Sequence, residues 1–300
     1  MGAAITRPME VNLLHGFGLR INHQKVPLIL SVQRLVAFLA LKARPLSRTC
    51  VAGTLWPDMA PPQANACLRS SLWRIQRVDG KVVDATPHEL ELGGNVAVDV
   101  RIAETRAYRL LETMTACDDI LTATTRSDLS ADILPDWYED DWVLAAREHF
   151  YHLRLHALEA MCQRLTAAGR YGEAVQAGLA AVRAEPLRES AHHALITAHL
   201  AVGNRSEALR QYNRCRQLLL EELSLEPSAA LRNLLPAQQA RRPHPATPRS
   251  APAQSINTPM AAAGIQTQRR QDQRPKQPEH SSILYPQSRA QPLFLQSPGA

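Results

Sequence analysis

The chain has 300 residues, 45% of them hydrophobic, with 34 basic and 28 acidic side chains and a net charge of +6. That is enough apolar material for about two packed domains, and too little net charge to name a polyanion partner by itself. Five scattered cysteines without a C-x-x-C pair, an N-terminus lacking a long apolar core, and no apolar run of about 18 residues argue against a disulfide scaffold, a zinc site, a signal peptide and a membrane span, and they fit a reducing cytoplasm.

Residues 10–30 read as short strands. Val11 and Leu13, then Phe17, Leu19 and Ile21, alternate with other residues, and Asn22-His23-Gln24 makes a polar turn before Val26. The period then changes. Ser31 is placed to cap a helix carrying Leu35, Phe38 and Leu39, which Pro45 stops. Ser47 caps a second helix with Val51 and Leu55, ended by Pro57-Asp58. Pro61-Pro62 reads as a turn, and a third helix runs from about Gln63 to Val78, closed by Asp79-Gly80. Val82-Val83, the turn Thr86-Pro87-His88, and Leu90-Glu91-Leu92 read as a hairpin, and Val96, Val98 and Val100 as a last strand.

Strands, three helices and a hairpin within residues 1–100 are the layout of a winged helix, and the leading strands match the OmpR/PhoB subclass found in response-regulator output domains. Residues 101–236 read as an all-α domain. Ala103, Ala107, Leu110, Leu111 and Met114 form a stripe, a polar loop covers about 118–132, and order restarts at Ile133-Leu134-Pro135-Asp136-Trp137-Tyr138. Gly169-Arg-Tyr-Gly-Glu173-Ala174 recurs as Gly203-Asn-Arg-Ser-Glu207-Ala208 at an offset of 34 residues, the tetratricopeptide period. Residues 237–300 are rich in Pro, Gln, Ser, Thr and Arg, too sparse in apolar side chains to bury, and read as a disordered tail; Leu293-Phe294-Leu295 is its small apolar exception. Charge follows this division: 11 basic and 7 acidic residues in 1–100, 15 and 19 in 101–236, 8 and 2 in the tail. The ends can approach a polyanion, and the middle suits protein contacts.

The third helix carries the constellation that could read DNA. Leu68, Leu72 and Ile75 share one face; Ser70, Trp73 and Arg77 lie opposite, flanked by Arg69 and Arg74. Such a helix fits the major groove, where Arg pairs with guanine or phosphate. On its own the pattern is also that of a solvated basic face; its position, third of three and just before a hairpin, favours the DNA reading. Phosphate contacts are expected from Ser31, Gln33 and Arg34 at the start of the first helix, Arg48 at the start of the second, and His88 at the hairpin tip.

Other groupings lead elsewhere. His149, His152 and His156 share part of a helical face, but Glu148-His149-Phe-Tyr-His152 is not H-E-x-x-H. Asp136, Glu139, Asp140 and Asp141 do not have calcium-loop spacing and read as a capping or solvated run. Without a Walker motif or a G-x-S-x-G, nothing recommends an enzyme, a cofactor or a metal.

Several segments resemble the Streptomyces antibiotic regulatory protein family: Ser31–Leu41, Leu55-Trp-Pro-Asp58, Asn65–Arg74, Val98-Asp-Val100, Leu134-Pro-Asp-Trp-Tyr138, Trp142-Val-Leu144, Glu185-Pro-Leu-Arg-Glu-Ser190 and Gly203–Ala208. The likeness spans roughly 10–236 and takes the helical part as a bacterial transcriptional activator domain. It implies an activator of a biosynthetic gene cluster that binds direct repeats in double-stranded promoter DNA beside a second copy of itself and recruits RNA polymerase holoenzyme. It places the protein in the cytoplasm at the nucleoid, and it implies base reading by Arg69, Ser70, Trp73, Arg74 and Arg77. Many relatives append an ATPase and further repeats, whereas this chain ends in the tail, and no receiver domain is present. A repressor, or a helical scaffold whose winged helix contacts only protein, remains the alternative.

Overall fold

Alternation in the first strands produces a sheet with one buried face. The computed structural model describes residues 8–78, 80–112 and 118–235. In it β1 (Met9–Asn12), β2 (Gly18–Ile21) and β3 (Gln24–Lys25) form an antiparallel meander. Asn22 and His23 both hold positive φ, at 50° and 64°. That is the conformation a two-residue hairpin needs to match strand twist. Met9, Val11, Leu19 and Ile21 point into the core.

Helix α1 (Leu30–Lys42) then crosses the domain with Val32, Leu35, Val36, Phe38 and Leu39 buried. Its cap residue is Ile29, which offers no side-chain acceptor. Ser31 therefore lies inside the first turn and does not cap the helix, contrary to the sequence reading. Strand β4 (Leu46–Ser47) leads to α2 (Arg48–Leu55), where the Ser47 side chain does accept the Cys50 N–H at 3.2 Å. Helix α3 spans Pro61–Ile75. The two prolines expected to make a turn are its first residues, where a missing N–H costs nothing and the fixed φ suits the helix. Strands β5 (Val83–Ala85) and β6 (Glu89–Leu92) form the hairpin, and β6 also pairs with β4.

The last strand of this part, β7 (Val96–Val98), does not extend the hairpin. It runs parallel to β1, giving a four-stranded sheet in the order β3-β2-β1-β7. It also stops short of Val100, because Asp99 opens α4 (Asp99–Glu112). The Asp99 carboxylate accepts the N–H groups of Leu13 at 2.9 and 3.0 Å, Leu14 at 3.0 Å and Val100 at 2.8 Å. Burial raises the pKa of this carboxyl, and the hydrogen bonds oppose the rise.

Helix α4 buries Val100, Ala103, Ala107 and Leu110 but leaves Leu111 exposed; Met114 lies outside the described residues. The stretch read as a polar loop contains a short helix, α5 (Ala123–Ser130). Thr122 caps it, and Thr125 and Leu129 are buried one turn apart. So few apolar residues gave no visible period.

Four longer helices follow, α6 (Asp141–Ala167), α7 (Tyr171–Ala184), α8 (Glu189–Ala201) and α9 (Arg205–Leu223), each packed on the next, with the short α10 (Ala229–Leu234) against α8. The 34-residue echo falls on equivalent turns. Gly169 and Gly203 sit between antiparallel helices with φ of 72° and 82°, and Ala174 and Ala208 are fully buried just beyond. The expected tail and its Leu293-Phe294-Leu295 lie outside the described residues, as do Asp79 and Cys117.

His192 on α8 is fully buried. Its Nε2 lies 2.9 Å from the Pro186 carbonyl and its Nδ1 2.7 Å from Gln211 Nε2. A carbonyl accepts and an amide NH₂ donates, so these partners select the neutral ring with its proton on Nε2. Burial lowers the pKa of this imidazole. A lowered folded pKa means that the stabilisation is present above the ordinary value of 6.5 and is lost as pH falls through the folded value. Chemical denaturation of wild type and His192→Gln at pH 7.5 and pH 5 should show a larger acid-induced loss in wild type. Equal losses would remove His192 as a source of acid sensitivity.

Candidate nucleic-acid interface

Helix α3 is sorted by its own spacing. Ala64, Leu68, Ser71, Leu72 and Ile75 face the core. Arg69, Ser70, Trp73, Arg74 and Arg77 are all exposed. Trp73 leaves 57% of its surface to solvent, unusual for so large an apolar side chain. The Arg77 guanidinium lies 4.7 Å from the centre of its ring. A stacked pair of this kind is worth about 0.5–1 kcal/mol at an exposed site and holds the cation in a restricted set of positions. Among the described residues, no carboxylate pairs with Arg69, Arg74 or Arg77. The helix ends at Ile75, short of the expected Val78, so Arg69 and Arg74 project from α3 itself and Arg77 from the turn just past it, a row of cations on a well-packed element.

The start of α1 abuts the far end of this face. Pro27, Leu28, Ile29 and Val32 share a shallow cavity of about 360 Å³ with Trp73, Arg74 and Arg77. That neighbourhood was invisible in the sequence, because it joins residues more than forty positions apart. Ser31 and Gln33 are half-buried in the same first turn. Gln33 donates to the Leu28 carbonyl at 2.7 Å, which ties the turn to the chain before it. Arg34 is elsewhere engaged: its guanidinium meets Asp140, just ahead of α6, at 2.5 Å.

Arg48 and His88 are brought together. The Arg48 N–H donates to the His88 carbonyl at 3.0 Å, and Arg48 Nε to the Thr86 carbonyl at 2.9 Å. Thr86 Oγ1 in turn accepts the Glu89 N–H at 2.9 Å, which fixes the hairpin tip and leaves His88 exposed. The start of α2 and the tip of the wing are therefore one structural piece. Ser47 holds that piece together at the helix end. Ser47→Ala should lower stability by about 1 kcal/mol in chemical denaturation, and no change would mean that the cap is not formed in solution.

The other sequence groupings stay apart. His149, His152 and His156 are exposed along α6, with His156 Nδ1 3.1 Å from Arg188. Among the described residues, no three His, Cys, Asp or Glu side chains converge as a metal site would require.

An α3 backed by a hydrophobic core, fronted by arginines and followed by a hairpin defines a winged helix, here joined to a tetratricopeptide-like stack. Residues 102–237 match the family model of the bacterial transcriptional activator domain. The chain is 27% identical over 203 residues to the regulatory protein AfsR of Streptomyces griseus and 30% identical over 207 residues to that of Streptomyces coelicolor. Each alignment covers 62% of this chain and 20% of the relative, so the chain spans about a fifth of the length of these curated relatives. Its fold resembles the solved structure of Mycobacterium tuberculosis EmbR in complex with a low affinity phosphopeptide. The TM-score is 0.58 at 21% identity, covering 76% of this chain and 64% of that one. The helical part of the chain is thus matched to a bacterial transcriptional activator domain, set behind a winged helix.

Proposed function

We propose that this chain regulates transcription by binding double-stranded promoter DNA through α3 and the wing. The observation that carries the reading is the outer face of α3 and the turn after it: Arg69 and Arg74 without a carboxylate partner among the described residues, Arg77 stacked on Trp73, and the opposite face packed into the core. A free guanidinium on a fixed helix is suited to guanine edges and phosphates alike. Arg48 and His88 are assigned to the flanking backbone or minor groove, and Ser31 and Gln33 to phosphate at the start of α1. Arg34 is left out of the interface because Asp140 neutralises it.

Direct repeats would set two copies about one helical turn apart, roughly 10 bp, on one face of the duplex. The helical domain would then be free to contact a neighbouring copy and RNA polymerase holoenzyme. Activation is favoured over repression by the match to the activator domain, and the site of action is the nucleoid within the cytoplasm. Among the described residues no helix is long and apolar enough to cross a membrane.

Footprinting and mobility-shift titration on DNA upstream of the neighbouring genes test this. Specific binding should weaken steeply with salt, as counterion release requires. Arg69→Ala and Arg74→Ala should each weaken it by about 5- to 150-fold, the range of a lost base or phosphate contact of about 1–3 kcal/mol, with the fold intact. Wild-type footprints from both variants would overturn the assignment of α3. Transcription in vitro with purified polymerase holoenzyme should rise on adding the protein; an unchanged or lower yield would remove activation.

A further inference from the structure

The acidic run of residues 136–141 is absorbed neither by the fold nor by DNA binding. It lines a cleft of about 920 Å³ whose other walls are the start of α1, the end of α2 and the loop from α2 to α3. Three of the chain's four tryptophans, Trp56, Trp137 and Trp142, line this cleft, together with Tyr138. Tyr138, Leu30 and Met59 line it too, and they are 74%, 61% and 44% exposed. Large apolar side chains left in water around one concavity mark a binding site more often than chance exposure does.

The charge of the cleft is one-sided. Asp58, Asp136, Glu139, Asp140 and Asp141 line it, against one cation, Arg34. Arg34 and Asp140 neutralise each other, and Trp142 Nε1 adds a hydrogen bond to the same carboxylate at 3.0 Å. Among the described residues, the other four carboxylates have no basic partner. They do not converge on a point, since no three metal-capable side chains of the described residues gather there. A compact metal ion is therefore poorly served. A cation with diffuse charge on an apolar body is well served: aromatic faces attract it, and separated carboxylates balance it without a fixed geometry.

We infer that this cleft binds a small organic cation, an ammonium carried on an apolar frame. The inference stands on the cavity alone and is independent of the DNA reading. Because the walls come from both the winged helix and the segment ahead of α6, such a ligand would be held by both parts at once. It would raise the melting temperature of the whole folded unit by mass action.

The test uses the full chain without DNA, titrated with benzyltriethylammonium and, separately, with benzenesulfonate. Tryptophan fluorescence and calorimetry report binding, and circular dichroism confirms folding of the variants. The ammonium should give saturable binding and the sulfonate none. Tyr138→Ala and the double variant Asp136→Asn/Glu139→Gln replace exposed side chains, and each should weaken binding about fivefold, the scale of one cation–π or ion-pair contact of about 1 kcal/mol. Absence of saturable binding, an equal response to the sulfonate, or a titration unmoved by both substitutions would overturn the proposal. So would an oligo-arginine peptide that saturates the cleft while the ammonium does not, since the site would then be a peptide dock.

Discussion

Asp99→Ala should destabilise the folded unit by about 3 kcal/mol, because it strips the acceptor from three backbone N–H groups where the sheet meets α4. Leu13, Leu14 and Val100 all donate to this one carboxylate. Leu13 and Leu14 are 0% and 5% exposed, so their amides have little access to replacement water. Each buried donor left without an acceptor costs about 1–3 kcal/mol. Against this stands the cost of burying the charge itself, visible in the raised pKa of Asp99. The net loss is therefore well below the sum of three full penalties. Asp99→Asn keeps one oxygen and sheds the charge, so it should lose less than Ala. Urea denaturation of the three proteins measures the order wild type, Asn, Ala. An alanine variant within 1 kcal/mol of wild type would mean that the junction is held by packing instead.

The sequence displayed what repeats along the chain and hid what joins distant parts of it. Leu68, Leu72 and Ile75 were readable as an inward face because helical spacing is local, and the exposed arginines of α3 follow from the same arithmetic. Gly169 and Gly203 were readable because the turn recurs at one period and each holds positive φ. Val100 was misplaced because its alternation with Val96 and Val98 continues past the true end of β7, and only the Asp99 carboxylate at its helix end stops the strand. The parallel pairing of β7 with β1 links residues almost ninety apart and leaves no periodic trace. The same holds for Arg34. At the sequence level it was one more cation near a helix start; its partner Asp140 lies 106 residues away. Candidate interface residues on one helix could be grouped from the sequence, whereas the cavity beside Trp73 and the acidic cleft needed the fold.

The largest expected effect follows from that hidden wiring. A chain ending at residue 112 keeps every strand and helix of the winged helix, yet it should fail to fold cooperatively. Residues 132–142 complete the domain from outside its apparent boundary. Leu134 donates to the Leu13 carbonyl at 2.8 Å, His15 to that of Asp132 at 3.2 Å, and Leu14 bridges Ile133. Trp137 stacks on Phe17 with ring centres 6.0 Å apart and meets Trp142 edge-on at 6.1 Å, while Trp142 meets Phe38 of α1 at 5.2 Å. The buried residues run without a break from Met9 on β1 to Ala198 on α8. Removing Ile133, Leu134, Trp137, Trp142 and Val143 withdraws apolar burial worth about 1.5–3 kcal/mol per side chain. The sum is about 7–15 kcal/mol before compactness of the unfolded chain lowers it, comparable with the whole stability of a small domain, about 5–15 kcal/mol. It also exposes the α4 face of Ala103, Ala107 and Leu110. Within the intact chain, Trp142→Ala isolates part of this effect and should cost about 3–5 kcal/mol. Thermal melts followed by circular dichroism decide both cases. A sharp transition for residues 1–112 at the temperature of the full chain would show that the winged helix stands alone and that the helical domain is only tethered to it. A broad or absent transition would mean that α3 is held in place by the activator domain, so that any force on the helical domain is transmitted to the helix proposed to bind DNA.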